Sequence, residues 1–342
     1  MKILITGGCG FVGSNIAIYL KKKLKRSDIS SLDNLTRKGS VVNRNRLKKF
    51  NIKNYKINIE NLKKIKKLPK YNLIIDCCAE PAIEVSKTDP DRVFKTNLVG
   101  TLNILKKCLK DKTNIIFLSS SRVYSIKRLR KLVDKTFLSK PININKKINE
   151  EFATSSASSL YGFTKLASEK LIKELFFTTK LKYIINRFGV IAGPWQFGKQ
   201  DQGFVSLWIA KYLFKKKLSY IGFGGNGHQV RDVIHVDDVC EIIFLQIKNM
   251  KKKFNKTFNI GGGPINSISL KDLSKKCEKI TKNKIKVIKV SKTSPFDIPF
   301  YITDNSKIKK FYKWKPSKNM DRILIDIYSW LIKNKSVWKF FQ

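Results

Sequence analysis

Tyr161 and Lys165 are the two residues of this sequence whose types and spacing best suit proton transfer. They begin a predicted helix that runs to about Lys173, and residues four apart lie on one face of a helix. A tyrosine hydroxyl is a poor base at neutral pH, but an ammonium group beside it favours the phenolate that accepts a proton. The spacing therefore predicts an acid/base pair. The alternative is a surface pair, because Tyr-x-x-x-Lys also arises by chance.

A cluster of hydroxyl groups, Ser119-Ser120-Ser121, follows an apolar run that predicts a strand from Asn114 to Ser119. In a doubly wound sheet, ligands bind at the carboxyl ends of the strands. We therefore expect a serine hydroxyl of this cluster to point into the site.

The start of the chain predicts a phosphate-binding turn. Residues 2–6 form a mostly apolar and β-branched run typical of a buried strand, and glycines follow at positions 7, 10 and 13. Apolar residues then recur at helical spacing, so the turn opens a helix whose first N–H groups lack partners within the helix. Gly7 allows a tight turn, Gly10 allows the backbone to approach a pyrophosphate, and Gly13 allows close packing of helix and strand. We expect a dinucleotide here, contacted by Gly7, Gly10, Phe11, Val12 and Gly13; a purely structural turn is the alternative.

A second predicted strand, residues 28–33, ends in Asp33. This carboxylate lies about 20 residues beyond Gly13, the spacing at which an acid bonds the adenosine ribose 2′-hydroxyl of NAD. A 2′-phosphate would be repelled by Asp33, so NAD is the expected cofactor. Arg37 and Lys38 keep NADP as an alternative, and a surface aspartate that caps a turn is another.

The remaining pattern predicts an α/β fold with a doubly wound parallel sheet. Further strands are predicted at residues 55–59, 72–77 and 114–119, with helical patterns between them. One helical period covers residues 89–109 and contains Asn97, either as a satisfied interior amide or as a contact to the loops over the cofactor. From about residue 186 the chain is rich in turns and tryptophan. We predict a cofactor domain in residues 1–185 and a smaller α/β substrate domain in residues 186–342, part of which returns to the first domain.

The composition is strongly basic, with 71 lysines and arginines against 25 acids and a formal net charge of +46. Lysine supplies most of this charge, in pairs and triplets along the chain, and no stripe of arginine and aromatic residues suits a nucleic-acid groove. We expect a compositional bias and no specific nucleic-acid partner, although weak binding to polyanions at low salt is expected. A non-enzymatic protein that binds NAD or RNA through this charge is the alternative of a different class.

Cysteine, histidine and hydropathy give three further expectations. The six cysteines lack C-x-x-C spacing and the chain has two histidines, so we expect core thiols and no metal site. No apolar run approaches the roughly 18 residues of a membrane span, and the apolar N-terminus is too short for a signal peptide. We expect a cytoplasmic protein that does not insert into membranes.

The glycine pattern, the serine cluster and Tyr161-x-x-x-Lys165 together resemble the extended short-chain dehydrogenase/reductases that act on nucleotide sugars, over essentially the whole chain. The resemblance implies a Rossmann sheet, NAD, a nucleotide-sugar substrate and a homo-oligomer. Further stretches resemble the epimerases of CDP-linked deoxysugars within this family: Asp33-Asn-Leu-Thr-Arg-Lys-Gly39, Gly193-Pro-Trp-Gln-Phe197, Asp201-Gln-Gly-Phe204 and Gly225-Asn-Gly-His-Gln-Val-Arg-Asp-Val-Ile-His235.

The resemblance also implies roles for individual residues. Tyr161 is the expected acid/base, Lys165 holds the nicotinamide ribose and favours the phenolate, and Ser121 is the hydroxyl partner. The loop after the fifth strand is one residue shorter than is usual in the family, so Ser120 is the alternative to Ser121. Further NAD contacts are expected at Asn34, Arg37, Asn58, Ile59, Ala79 and Asn97.

The second domain is expected to bind the substrate. Arg231 is the expected ligand of the diphosphate, because a fixed guanidinium matches phosphate oxygens. A salt bridge from Arg231 to Asp232 or Asp237 is the alternative. Gln196 and Gln202 are expected to contact the nucleotide or the sugar.

The reaction expected from the resemblance is epimerisation. Sugar-nucleotide 4,6-dehydratases of this family have an acidic pair just after the hydroxyl residue, where this chain has Arg122-Val123. Oxidation followed by re-reduction needs no such pair. We expect inversion at C2 of a CDP-linked dideoxyhexose, with a UDP-sugar 4-epimerase as the alternative and a sugar-nucleotide dehydratase as a less favoured one.

Overall fold

The computed structural model describes residues 1–133, 146–156, 158–199 and 202–341. Asp201, part of a motif quoted above, lies outside the described residues. The described α-helices are, in chain order, α1 Phe11–Lys23, α2 Ser40–Lys48, α3 Leu62–Lys66, α4 Ile83–Thr88, α5 Pro90–Phe94, α6 Gly100–Asp111, α7 Ile126–Lys131, α8 Leu160–Phe177, α9 Phe204–Leu213, α10 Val236–Asn249, α11 Leu270–Thr281, α12 Ser306–Tyr312 and α13 Met320–Lys333. The strands are β1 Lys2–Thr6, β2 Asp28–Leu32, β3 Lys53–Tyr55, β4 Leu73–Asp76, β5 Asn114–Ser120, β6 Tyr183–Phe188, β7 Val190–Ala192, β8 Leu218–Ile221, β9 Val230–His235, β10 Lys256–Ile260, β11 Ser267–Ser269, β12 Val287–Val290 and β13 Phe300–Tyr301.

The chain divides into two compact units. The first contains residues 1–123, 159–187 and 239–258, and the second contains residues 124–158, 188–238 and 259–342. The first break after α8 therefore comes at residue 187, two residues beyond the predicted boundary at 185. A piece of the second half of the chain belongs to the first unit, and residues 124–158 belong to the second.

A seven-stranded sheet forms the centre of the first unit, in the order β10-β6-β5-β4-β1-β2-β3. Neighbours β2–β3, β1–β2, β1–β4 and β4–β5 pair in parallel, and the strand order reverses direction on either side of β1. Ile3, Leu4 and Ile5 of β1 are fully buried, as expected for a strand with helices on both faces of its sheet. The doubly wound α/β architecture predicted from the sequence is confirmed.

The third strand differs from its prediction. It covers Lys53–Tyr55 instead of residues 55–59, so Asn58 and Ile59 follow the strand. The chain turns directly after β3, because the Ile57 N–H donates to the Tyr55 carbonyl and the Asn58 side chain accepts a hydrogen bond from the Glu60 N–H. Asn58 is therefore on an exposed loop, and Ile59 is buried against the helix that contains Gly100.

The predicted helix over residues 89–109 is three consecutive helical segments. Asp89 caps the first segment, α5, by accepting a hydrogen bond from the Arg92 N–H, and Pro90 occupies its first position. Residues Lys95–Val99 then form a π-helix before α6 begins. π-Helical turns of this kind are rare and occur often at functional sites, and this one contains Asn97.

Two smaller sheets lie in the second unit. One has the order β11-β9-β13, with β7 also paired to β9, and the other pairs β12 with β8. Its core is formed largely by α9, α11 and α13 and is rich in aromatic side chains, including Trp208, Trp330 and Phe341. The predicted second α/β domain is confirmed.

The helices and cysteines of the described residues bear on the remaining expectations. No helix within them is both long enough and apolar enough to cross a lipid bilayer. All six cysteines are free thiols, and four of them are buried, namely Cys9, Cys108, Cys240 and Cys277.

Candidate active site

The glycine turn between β1 and α1 has the geometry that a pyrophosphate requires. Gly7 has a φ of +59°, which L side chains rarely adopt, and its carbonyl accepts a hydrogen bond of 2.9 Å from the Gly10 N–H. A Cβ atom at Gly13 would lie 2.4 Å from the Gly7 carbonyl oxygen and 2.8 Å from Gly8 Cα. Only glycine at position 13 lets α1 approach the turn this closely.

The N-terminus of α1 is suited to an anion. Gly10 is the N-cap residue, no described side chain caps the helix, and its first turn has no acidic residue. The N–H groups of this turn are therefore not engaged by a cap, and the helix dipole favours negative charge here. Phe11 and Val12, predicted contacts, are the first residues of the helix and are half-buried. This turn fits a dinucleotide.

Asp33 connects the end of β2 to the glycine turn. Its Oδ2 accepts a hydrogen bond of 3.0 Å from the Cys9 N–H, and its Oδ1 accepts one of 2.8 Å from the Leu35 N–H. Burial raises the pKa of Asp33, and these hydrogen bonds and the charge of Arg37 oppose that rise. The carboxylate thus lies against the predicted phosphate turn, with the cation of Arg37 near it.

Three further predicted NAD contacts lie on loops after strands of the large sheet. Asn34 follows β2 and accepts hydrogen bonds from the N–H and hydroxyl of Thr36. Asn58 follows β3, and Ala79 follows β4 and is half-buried. All three are at the carboxyl ends of parallel strands, where this fold class binds its ligands.

Tyr161 and Lys165 lie one turn apart in α8, as predicted. Ser159 caps the helix by accepting a hydrogen bond of 3.1 Å from the Gly162 N–H, which places Tyr161 in the first turn. Tyr161 is half-buried, whereas Lys165 is only 2% exposed. The Lys165 ammonium lies 4.4 Å from the centre of the Phe117 ring on β5, a cation–π contact that fixes this charge beside the strand.

The serine cluster ends β5 and begins the 3₁₀ turn Ser121–Val123. Its members have different environments: Ser119 is buried, whereas Ser120 and Ser121 are half-buried. The Ser120 hydroxyl accepts a hydrogen bond of 3.1 Å from the Arg122 N–H. No other described residue forms a hydrogen bond with the Ser121 hydroxyl. Accepting this bond leaves the Ser120 O–H free to donate, so both Ser120 and Ser121 have a hydroxyl that can donate to a substrate.

Asn97 joins the loop after β4 to the catalytic helix. Its side chain accepts a hydrogen bond of 2.7 Å from the Glu80 N–H and donates to the Glu80 carbonyl at 3.1 Å and to the Thr164 hydroxyl at 3.2 Å. Glu80 is itself buried and is paired with Arg92 at 2.8 Å. Asn97 is thus a satisfied interior amide, and it fixes a loop at the carboxyl end of β4. Its predicted contact to NAD stays a prediction.

The predicted substrate residues lie in the second unit. Arg231 donates to the Val230 carbonyl at 2.8 Å and to the Ile298 carbonyl at 2.6 Å, both neutral acceptors. Gln196 is buried, and both ends of its amide are bonded, to the Ile191 carbonyl at 2.9 Å and to the Ser206 hydroxyl at 2.7 Å. Gln202 exchanges backbone hydrogen bonds with Lys199. Their contacts with a substrate stay predictions.

Several residues that organise the site were missed by sequence reasoning. Ser159, Thr164 and Glu169 belong to α8 or cap it, and Glu80 and Arg92 form a pair at the end of β4. A serine before a helical pattern is a cap signal, so Ser159 could have been found. The ion pair between Glu80 and Arg92 joins the loop after β4 to α5, 12 residues further along the chain. No sequence pattern marks such a pair.

The comparisons with known proteins agree with this geometry. A model of the NAD dependent epimerase/dehydratase family matches residues 3–261, well over half of the chain. The chain belongs to this family. Membership confirms the predicted resemblance, the predicted cofactor NAD and the prediction of an enzyme of the epimerase type.

Individual relatives within the family differ in their reactions. CDP-paratose 2-epimerase of Salmonella typhi is 30% identical over 344 residues, covering 96% of this chain and 99% of the relative. dTDP-D-glucose 4,6-dehydratase of Dictyostelium discoideum is 31% identical over 265 residues, covering 76% of this chain and 58% of the relative. Among solved structures, UDP-glucose 4-epimerase of Thermotoga maritima with UDP-glucose has a TM-score of 0.81 at 26% identity, covering 98% of this chain and 100% of that one.

Proposed function

We propose that this enzyme inverts C2 of a CDP-linked dideoxyhexose, interconverting CDP-paratose and CDP-tyvelose through a transient 2-keto sugar. The observation that carries the proposal is the position of Tyr161 and Lys165 in α8, with the Lys165 ammonium buried against Phe117 and the serine cluster at the end of the same strand. The relation to CDP-paratose 2-epimerase, over nearly the full length of both chains, supports the choice of substrate.

The proton chemistry belongs to three side chains. Tyr161 Oη accepts the proton of the C2 hydroxyl as C2 is oxidised and returns it when C2 is reduced. Lys165, one helical turn from Tyr161, would hold the nicotinamide ribose. The Ser121 hydroxyl donates to the sugar oxygen, and Ser120 is the alternative, because accepting a bond from the Arg122 N–H leaves its own O–H free to donate.

NAD, when bound, supplies a hydride acceptor and donor for the sugar carbon. The glycine turn, the first turn of α1 and Asp33 would hold it, with Asn34, Arg37, Asn58, Ile59, Ala79 and Asn97 as further proposed contacts. Epimerisation has no net redox change. We therefore expect NAD to be held tightly and to copurify with the protein.

The loop after β5 supports epimerisation over dehydration. Elimination of water from the sugar requires an acid for the leaving hydroxyl and a base for the neighbouring C–H, and the chain has Arg122-Val123 where the dehydratases have their acidic pair. The buried carboxylate of Glu80, in the loop after β4, forms an ion pair with Arg92. Oxidation and re-reduction at one carbon need only the tyrosine, the lysine and the hydroxyl.

We further propose Arg231 as the ligand of the substrate diphosphate. Its guanidinium is held in place by the Val230 and Ile298 carbonyls, and a fixed guanidinium matches the geometry of phosphate oxygens. Gln202 is proposed to contact the nucleotide or the sugar. Gln196 would contact the substrate only by exchanging one of its two amide bonds.

A homo-oligomer is also proposed. Phe94 of α5 and Phe163 of α8 are large apolar side chains that are 42% and 53% exposed. Exposed aromatic side chains on packed helices are typical of surfaces that another protein covers. Size-exclusion chromatography with light scattering should give a multiple of the chain mass, and Phe163→Lys should lower it.

A second candidate is a UDP-sugar 4-epimerase, which the overall similarity to the Thermotoga maritima enzyme favours. Both reactions use the same catalytic residues. The deciding experiment incubates the purified enzyme with CDP-paratose, CDP-tyvelose, UDP-glucose and UDP-galactose and follows each by proton NMR. The proposal expects a mixture of C2 epimers from either CDP-sugar and none from Tyr161→Phe, which should still bind NAD.

Other outcomes of that experiment would overturn the proposal. C4 epimers from a UDP-sugar would identify the second candidate. A 4-keto-6-deoxy product would show a dehydratase, and stoichiometric accumulation of NADH would show a dehydrogenase. Near-normal turnover by Tyr161→Phe would remove the tyrosine from the mechanism.

A further inference from the structure

A buried charge network adjoins the proposed catalytic residues of the first unit. Glu169 of α8 is 1% exposed at its side chain and Arg187 of β6 is 7% exposed. The Arg187 guanidinium donates to both carboxylate oxygens, from Nε at 3.0 Å and 3.1 Å and from Nη2 to Oε2 at 2.7 Å. Ser119, the last buried residue of β5, donates its hydroxyl to Glu169 Oε1.

This network joins three elements at one point. Ser119 directly precedes Ser120 and Ser121, and Glu169 is one helical turn beyond Lys165 on α8. The single carboxylate of Glu169 therefore connects the strand that ends in the hydroxyl residues to the helix that carries the tyrosine and lysine. Arg187 connects both to β6.

Stability alone does not account for such a network. Moving two charges out of water commonly costs more free energy than their mutual attraction recovers. Buried ion pairs are therefore often no more stabilising than apolar residues of similar volume. Their best-attested use is to select one arrangement of the elements they join. The Ser119 hydroxyl adds a bond to a charged acceptor, which is stronger than a bond between neutral groups.

We infer that Ser119, Glu169 and Arg187 are positioning residues that set the Ser120–Ser121 hydroxyl groups against Tyr161. This inference rests on the proposed function, because it assigns the network to proton transfer at that site. The bond from Ser119 to Glu169 fixes the backbone at the carboxyl end of β5. It thereby sets the direction in which the following 3₁₀ turn leaves the strand. Loosening it moves a reacting hydroxyl without removing a reacting group.

Ser119→Ala tests the inference, with Thr113→Val as the matched control. Thr113 stands just before the other end of β5, is fully buried and donates its hydroxyl to the Tyr71 carbonyl at 2.8 Å. Both variants lose one buried hydroxyl bond, so both should lower the Tm. We expect Ser119→Ala to lower kcat by about tenfold or more with little change in KM, since a bond to a charged group is lost. Thr113→Val should keep the wild-type kcat.

The opposite results would overturn the inference. Equal losses of kcat in the two variants would show a general effect of stability, and a normal kcat in Ser119→Ala would show that the bond does not position the site. A rise in KM alone would assign Ser119 to substrate binding instead.

A second readout separates this inference from the proposed function. Hydrogen exchange of the peptide that contains Arg122 needs no substrate and reports on the turn in which the Arg122 N–H bonds to Ser120. We expect exchange about tenfold faster in Ser119→Ala than in wild type or Thr113→Val. If wild type epimerises no sugar nucleotide, the proposed function fails while a faster exchange still supports the positioning of the turn. Unchanged exchange refutes the inference whatever the activity.

Discussion

The Asp33 carboxylate accepts the hydrogen bond of the Cys9 N–H at 3.0 Å, so the acid at the end of β2 is bonded to the middle of the glycine turn. A hydrogen bond thereby joins two features that lie far apart in the sequence motif, the predicted phosphate turn and the acid predicted to bind the ribose. The second carboxylate oxygen is held by the Leu35 N–H, which fixes the orientation of the group. We expect the preference for NAD over NADP to depend on this orientation.

Asp33→Asn should shift cofactor preference towards NADP. The carboxylate repels a ribose 2′-phosphate, and without its charge the nearby Arg37 can attract that phosphate. We expect NAD affinity to fall about tenfold, a loss of roughly 1.4 kcal/mol, and the ratio of NADP to NAD affinity to rise. Titration calorimetry on protein freed of bound nucleotide measures both. Asp28→Asn, at the exposed start of the same strand, is the control, and an equal ratio in the two variants would contradict the role of Asp33.

Gly13→Ala should weaken NAD binding through a steric clash. Its methyl group would lie 2.4 Å from the Gly7 carbonyl oxygen, and the backbone of the turn has to move to relieve the contact. We expect at least a tenfold loss of NAD affinity and a destabilisation of about 1–3 kcal/mol, as for other overpacked sites. Both are measured by titration and urea unfolding.

Gly198→Ala is the control for this substitution. A Cβ atom there would clash with the Gly203 carbonyl oxygen, so the variant has the same kind of backbone clash at a site in the second unit, away from the glycine turn. This variant should keep NAD affinity within a few fold of wild type. An equal loss in both variants would show that the Gly13 effect is not specific to the turn.

Asn97→Asp should uncouple the loop after β4 from the catalytic helix. A carboxylate cannot donate to the Glu80 carbonyl or the Thr164 hydroxyl, and it repels the carbonyl. We expect a loss of stability of about 1–3 kcal/mol together with a lower kcat at saturating NAD. Asn103→Asp is the control, because Asn103 also donates to two carbonyls, those of Ile59 and Glu60, away from α8. A similar kcat for the two variants would contradict a special role of Asn97.

The sequence was most informative where one local pattern determines both structure and chemistry. The β1 run, the glycine spacing and the first helix are consecutive, so each restricts the next, and the structure has the strand at its predicted residues. The position of Tyr161 and Lys165 in one helix follows in the same way from a spacing of four. Such features need no knowledge of distant contacts.

The features that the sequence did not predict depend on contacts between distant residues. The π-helix at Lys95–Val99 shifts backbone hydrogen bonds without a residue pattern that marks it. The short strand β3 ends where a turn begins, three residues before Asn58, and the apolar pattern of the sequence continues beyond the end of the strand. Gln196 has its amide bonded to Ser206 ten residues away, and a motif that contains the glutamine does not show that bond.

Stability should depend on pH through a buried acid of the second unit. Asp232 is fully buried on β9, and burial raises its pKa to about 6, against hydrogen bonds that include the Gly263 N–H. The folded protein therefore keeps the Asp232 carboxyl protonated up to a higher pH than the unfolded chain does. Ionisation of the buried carboxyl lowers the unfolding free energy, and this penalty has its full size above pH 6. It disappears as the pH falls through 6 towards about 4, the pKa of an aspartate in the unfolded chain.

Asp232→Asn removes this titration and keeps the shape of the side chain. The unfolding free energy of the variant relative to wild type should rise between pH 4 and pH 7, by on the order of 2–3 kcal/mol for a shift of about two pKa units. Urea unfolding at a series of pH values measures the difference. The control is Glu151→Gln, which changes an exposed acid of the same unit and should give a nearly constant difference. A constant difference for Asp232→Asn as well would mean that Asp232 is ionised in the folded protein throughout this range, with partners that compensate its burial.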